Sequence, residues 1–516
     1  MKLQVMRNAR RNLITGFLNK VVFLLMPFVE RTIMRYVLGS LYLGLNSLFT
    51  SILSVLSLAE LGFSSAIVYN MYKPIAENDV KTVNALLNLY KKVYRIIGCV
   101  VLTIGCLLIP FLPNLINGEY PNNVNIYIVY AIFLLNSSIS YFMYSYLNSL
   151  LSAFQREDVH NIINTITTLC LYLSKIGIIL ALKSYYLAII MMPIFTIIQN
   201  IIVALSAKRM FPEYRCEGIL PDEKKSSIRK LVAGTFISRA CAVTRNSLDS
   251  ICTSAFLGLA LTAVYNNYYT ISHSVTLLLG IVTTSLLGGI GNHVATKSVD
   301  ENFVEQRRIN FVYMLVSGWS LIYLVCLFQP FMSLWMGTDM LLTNTSVYLM
   351  GLYFYTLKIG DVLSMYSSSN GLWWQHRYRA LGETIANFIL NVALGKIFGV
   401  NGIISATIIS LFIFNFICGA QITFKNYFKS KDYVRQYYVD HGKYFLVNSL
   451  CLVLSIFVCR FLSIENLVLK LIFNAVICTI IPAILFFAIY RANADFKYIE
   501  SILLKKLKIK RKDPIE

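Results

Sequence analysis

The sequence predicts an all-α polytopic membrane protein of about 14 transmembrane helices, arranged as two pseudo-symmetric six-helix bundles plus two extra C-terminal helices. Three observations carry this prediction. The 516 residues are 57% hydrophobic and only 14% charged, and mean hydropathy is +0.63, which is too apolar for a soluble globule. Apolar stretches near membrane-spanning length recur from one end of the chain to the other. A degenerate repeat also relates the two halves: Phe17, Lys20, Glu30 and Leu38-Gly39 recur at a constant offset as Phe236, Arg239, Asp249 and Leu257-Gly258. Internal repeats of this kind are common in transporters, where the binding site lies between them.

In chain order, the N-terminus MKLQVMRNARRN is basic, and the first span, 13–34, is interrupted by Asn19 and Lys20. It lacks a small-residue cleavage site and therefore reads as a retained helix rather than a signal peptide. Further spans are expected at 41–70, 93–115, 125–150, 160–182 and 185–206. The second half supplies 231–257, 264–290, 309–329, 344–368, 380–398 and 401–424. The last two are 444–462 and 468–490, outside the repeat. An even total puts both termini on one side, and most of the 46 Lys and Arg fall in the N-terminus, alternate connections and C-terminal tail. The positive-inside rule makes that side cytoplasmic.

The domains are accordingly an N-terminal bundle, 1–206; a cytoplasmic linker, 207–230; a second bundle, 231–424; an appended helix pair, 425–490; and a basic cytoplasmic tail, 491–516. Because the first bundle has an even number of spans, the halves should be related by an axis along the membrane normal. Stretch 73–92 alternates charges with Val83, Leu86, Leu87 and Leu89 and suits a short interfacial amphipathic helix. The net charge of +21 is spread between spans rather than gathered in one domain, so it reports orientation and not nucleic-acid binding. The eleven cysteines lie mostly inside spans without CxxC or metal-ligand spacing, so neither disulfides nor zinc are expected.

Ionisable residues inside spans are costly in hydrocarbon and mark candidate sites. In span 231–257, Arg245 and Asp249 share a helical face, whereas Arg239 lies about 120° round from Arg245. Lys20, Lys175, Arg239, Arg245 and Lys358 are five cations at central depth, set against Asp249 and Asp361, with Glu30 and Glu60 nearer the helix ends. Lys175 has no acid in its own helix. The four acids are read as coupling or charge-pair residues; Arg245 with Asp249 and Lys358 with Asp361 are spaced as helix-bracing pairs. The cationic excess calls for a watery cavity or an anionic ligand, and a diphosphate suits it through charge-assisted hydrogen bonds. No catalytic or metal site and no nucleotide-binding loop is evident, so the chain reads as a non-enzyme without a cofactor. An H+ or Na+ gradient, a substrate gradient or a partner would power movement.

Stretch 41–92, which contains SLAELGFSS, resembles the Wzx-type polysaccharide flippases of the multidrug/oligosaccharidyl-lipid/polysaccharide exporter superfamily. So do LGLALTAVYNNYYTI, 257–271, and GLWWQHRYRALGETIANFILNVALGKIFGVNGIISATIIS, 371–410. The resemblance covers roughly 10–425 and departs from the family's pattern at Ser367-Ser368-Ser369-Asn370, where a basic residue is expected. It implies a V-shaped cavity between two bundles, open alternately to either side. It also implies transport of an undecaprenyl-diphosphate-linked oligosaccharide across the bacterial inner membrane, for O-antigen, capsule or exopolysaccharide assembly. The five cations would meet the diphosphate, and a polysaccharide polymerase and glycosyltransferases would be partners, with membrane lipid around the tail. The alternatives are a cation-coupled multidrug exporter of the same superfamily and a membrane polysaccharide polymerase or ligase.

Overall fold

The computed structural model describes residues 5–57, 63–461, 464–498 and 500–501, with side chains described there except at 5–10, 13, 64–66, 223–235, 238 and 239. Regular structure among them is entirely helical. The first half contains α1 (Val5–Val37), α2 (Ser40–Leu56), α3 (Phe63–Ala76), α4 (Val80–Leu108), α5 (Ile126–Phe142), α6 (Asn148–Ala153), α7 (Glu157–Leu182) and α8 (Tyr185–Met210). Then come α9 (Asp222–Leu257), α10 (Leu259–Thr296), α11 (Val299–Met336), α12 (Asn344–Ile359), α13 (Asp361–Ser369), α14 (Arg377–Phe398), α15 (Val400–Ser410), α16 (Gly419–Thr423), α17 (Lys431–Phe461) and α18 (Leu467–Tyr490). Each expected span coincides with one of these helices or with a consecutive group of them.

Among the described residues, nine helices are long and apolar enough to cross a membrane, or ten if the 52° bent pair formed by Ile126–Phe142 and Ser145–Ala153 is one span. Helix α1 and the pair α12–α13, outside that set, carry Lys20, Glu30, Lys358 and Asp361. The chain packs as two compact units. One comprises Met1–Asn266 with Phe388–Ile403, the other Asn267–Asn387 with Ile404–Glu516. In the first unit α9 packs on α2, and α1 lies along α7. In the second, α17 and α18 pack on α11, and Arg307 of α11 donates to Asp440 of α17 at 2.9 Å.

Stretch 73–92 does not form a separate amphipathic helix. Asn78 adopts a positive φ of 55°, and the Asp79 side chain accepts from the Thr82 amide at 3.0 Å, capping α4. The apolar face formed by Val83, Leu86 and Leu87 is buried instead of lying at an interface. The inter-bundle connection docks there, since Asn84 accepts from the Arg215 amide and Asn88 donates to the Gly218 carbonyl, both at 2.8 Å.

The repeat appears in backbone geometry. Gly39, between α1 and α2, has φ 110° and ψ 171°; Gly258, between α9 and α10, has φ 89° and ψ 171°. Both lie in a region open essentially to glycine alone, costing other residues about 1–3 kcal/mol. A Cβ on Gly39 meets nothing within 4 Å, but one on Gly258 comes within 2.7 Å of the Asn117 carbonyl oxygen. Gly39→Ala should therefore lower stability in detergent by about 1–3 kcal/mol, and Gly258→Ala by more. Thermal denaturation of the purified variants measures both, and equal or negligible losses would contradict the assignment.

Candidate functional site

Two charged candidates of the first unit, Glu30 and Lys175, meet at the second half of α1. Lys175 of α7 forms an ion pair with Glu30, and both side chains are almost fully buried. Lys175 has no acid in its own helix, and its carboxylate comes instead from α1, which lies along α7 and which inspection of one helix could not reveal. Arg31 feels both Glu30 and the Tyr172 hydroxyl, and donates weakly to Ser47 at 3.5 Å. Tyr172 also presents its ring 5.9 Å from the Lys175 ammonium. Arg35 follows Arg31 one helical turn later. Arg31 and Arg35 were not singled out from sequence because they fall at the expected end of the first span, whereas α1 continues to Val37.

Lys20 behaves differently. It is exposed, lies in the middle of α1 at about 22 Å along the axis from the first helical residue, and has no ion pair among the described residues. The neighbouring Asn19 anchors α1 by donating to Thr165 of α7 at 3.0 Å, leaving the lysine on the flank of that contact.

Arg245 and Asp249 are buried on α9. Asp249 accepts from Asn391 at 2.9 Å and from the Tyr265 hydroxyl at 3.2 Å, while Arg245 donates to Asn246 at 3.3 Å. The carboxylate therefore accepts from Tyr265 of α10 and Asn391 of α14, neither of which its local sequence indicates. The Arg239 side chain and Glu60 lie outside the described residues.

In the second unit two of the charged candidates pair with each other. Lys358 donates to Asp361 at 2.7 Å, and the Tyr313 hydroxyl donates to the same carboxylate oxygen at 2.6 Å. Lys358 is consequently neutralised rather than presented as a free cation, because the break at Gly360 between α12 and α13 turns its neighbouring acid back onto it. Nearby, Arg379 contacts Glu383 at 3.3 Å and Asn415 at 2.9 Å. Asn415 belongs to a π-helical stretch, Leu411–Cys418, of the kind frequent at functional sites.

No family model matches the chain, and no curated protein matches it in sequence. Solved structures do match in fold. A lipid II flippase, MurJ, in an inward closed conformation aligns over 93% of this chain and 99% of its own, with TM-score 0.67 and 16% identity. A multidrug resistance MATE transporter of the MOP superfamily, inward-facing, aligns over 79% and 94% with TM-score 0.58 and 11% identity. A MOP superfamily transporter from Pyrococcus furiosus, described by a reversed polarity of its binding pocket, aligns over 82% and 95% with TM-score 0.54 and 12% identity. The chain therefore has the fold of MOP superfamily transporters.

Removing one member of a buried ion pair leaves an uncompensated charge, at a cost of about 3–5 kcal/mol, whereas removing both is far cheaper. Glu30→Gln alone should destabilise the protein strongly, and Glu30→Gln with Lys175→Gln should recover much of the loss. A thermal-stability double-mutant cycle reads this coupling, and additive effects would show that the two side chains act independently.

Proposed function

We propose that the chain is a flippase that moves a polyprenyl-diphosphate-linked oligosaccharide across the membrane by alternating access, for assembly of a surface polysaccharide. The observation that carries this proposal is Lys20, exposed in the middle of α1 and without an ion pair among the described residues. An ammonium at that depth needs water or an anion. A diphosphate supplies two negatively charged groups whose oxygens accept several charge-assisted hydrogen bonds. The sugar head would cross through hydrated protein while the apolar tail remains in lipid. The fold likeness to a lipid II flippase over nearly the whole chain supports the same class of cargo.

The revised binding set is Lys20, Arg31, Arg35 and Arg245, with Arg239 retained by its repeat relationship to Lys20. Lys175 and Lys358 take positioning roles through Glu30 and Asp361. Both termini lie on the cytoplasmic side in this proposal, in accord with the distribution of Lys and Arg, and the polysaccharide polymerase and glycosyltransferases act before and after the transfer. Organic cations would favour an acidic chamber, so the exposed Lys20 counts against a drug exporter.

Asp249 is our candidate for coupling to an H+ or Na+ gradient, since it is a buried carboxylate on α9 that accepts from Tyr265 and Asn391 and a carboxylate can bind a proton or a cation. Two measurements test these roles. In vesicles loaded with a polyprenyl-diphosphate oligosaccharide, Lys20→Ala should slow transfer about tenfold or more at unchanged protein level, the value of one charge-assisted hydrogen bond, and Lys20→Arg should retain most activity; full activity of Lys20→Ala would remove the charge argument. Asp249→Asn should transfer substrate at a rate that no longer responds to an imposed H+ or Na+ gradient. An unchanged gradient response would discard Asp249 as the coupling residue.

A further inference from the structure

Three cysteines that are remote in sequence meet within the second unit. Cys326 of α11, Cys459 of α17 and Cys478 of α18 are all buried, and their sulfur atoms lie within 4.8 Å of one another. Each comes from a different helix, which is why no ligand spacing is visible in the chain. Backbone contacts fix the donors: Asn474 donates to the Cys326 carbonyl at 3.1 Å, and the Trp319 indole donates to the Cys478 carbonyl at 2.7 Å.

The cluster also has an open side. Cys326 and Cys459 line a cavity of about 660 Å³ whose walls include Arg460, Glu465, Lys470 and Asn344. Three sulfurs packed only as small apolar side chains would not need a charged, polar cavity beside them. We propose that the three thiolates bind one Zn²⁺ ion, with a cavity water completing a tetrahedral shell.

The chemistry supports that choice. Thiolate is a preferred ligand of zinc, and three protein ligands with one open position is a familiar arrangement. Binding releases three thiol protons through the cavity and leaves the zinc–trithiolate centre with one net negative charge. Arg460 and Lys470 against Glu465 give the cavity wall one net positive charge to offset it. Such an ion would lock α17 and α18 to α11. This proposal is independent of the cargo and does not involve the cationic residues of the first unit.

The test uses the full chain in detergent, reduced and stripped with a chelator, and titrated with Zn²⁺ against a chromophoric competitor. One ion per chain should bind, thermal stability should rise, and Co²⁺ in its place should give thiolate-to-metal charge-transfer absorption without any substitution in the protein. Cys326→Ser, Cys459→Ser and Cys478→Ser should each weaken binding by about tenfold or more, while Cys451→Ser, buried elsewhere on α17, should leave it intact. Absence of charge-transfer absorption in the unsubstituted protein, equal affinity in the three serine variants, or a disulfide joining two of these cysteines in protein purified without reductant would overturn the proposal.

Discussion

The constraint on which the structure depends is that a charge placed on a membrane-spanning helix has to be neutralised, hydrated or met by a ligand. The chain uses the first solution for Lys175 with Glu30 and for Lys358 with Asp361. Asp249 accepts from a neutral hydroxyl and a neutral amide, Tyr265 and Asn391. Lys20 follows neither pattern, and its exposure on α1 is what separates a site available to an anion from charges that hold helices in place.

This division gives the two units different characters. In the second, the pairs around the α12–α13 break and the π-helical Asn415 satisfy one another, so the charges fix backbone where helices are interrupted. In the first, Arg31 and Arg35 add positive charge beside a carboxylate that Lys175 already neutralises. Gly39 and Gly258 adopt the same glycine-only backbone conformation at corresponding helix junctions.

Most of the helical architecture was legible because hydropathy periods are local and long spans are unmistakable. The repeat was legible for the same reason, through Gly39 and Gly258 at corresponding positions. Contacts between distant segments were not. Lys175 looked unpartnered because Glu30 reaches it from α1, whereas Lys358 and Asp361 could be paired on sight, being three residues apart. The interfacial helix expected at 73–92 failed because Asn78 and Asp79 form a turn and cap there, and because Val83, Leu86 and Leu87 are buried in α4, which packs on α3 and α5. Arg31 was passed over since helix ends cannot be placed to within a turn from hydropathy alone. The cysteine cluster shows the same limit, because three helices must pack before their sulfurs become neighbours.

The central claim is that position 20 faces water in the middle of the membrane and meets the anionic head of the cargo. The most direct measurement replaces Lys20 with Cys and follows labelling by a charged, membrane-impermeant thiol reagent, as the increment over the parent protein in vesicles. The account predicts rapid labelling that a polyprenyl-diphosphate oligosaccharide suppresses and a neutral polyprenol does not. A position that stays unlabelled, or whose labelling is indifferent to the diphosphate lipid, would contradict it.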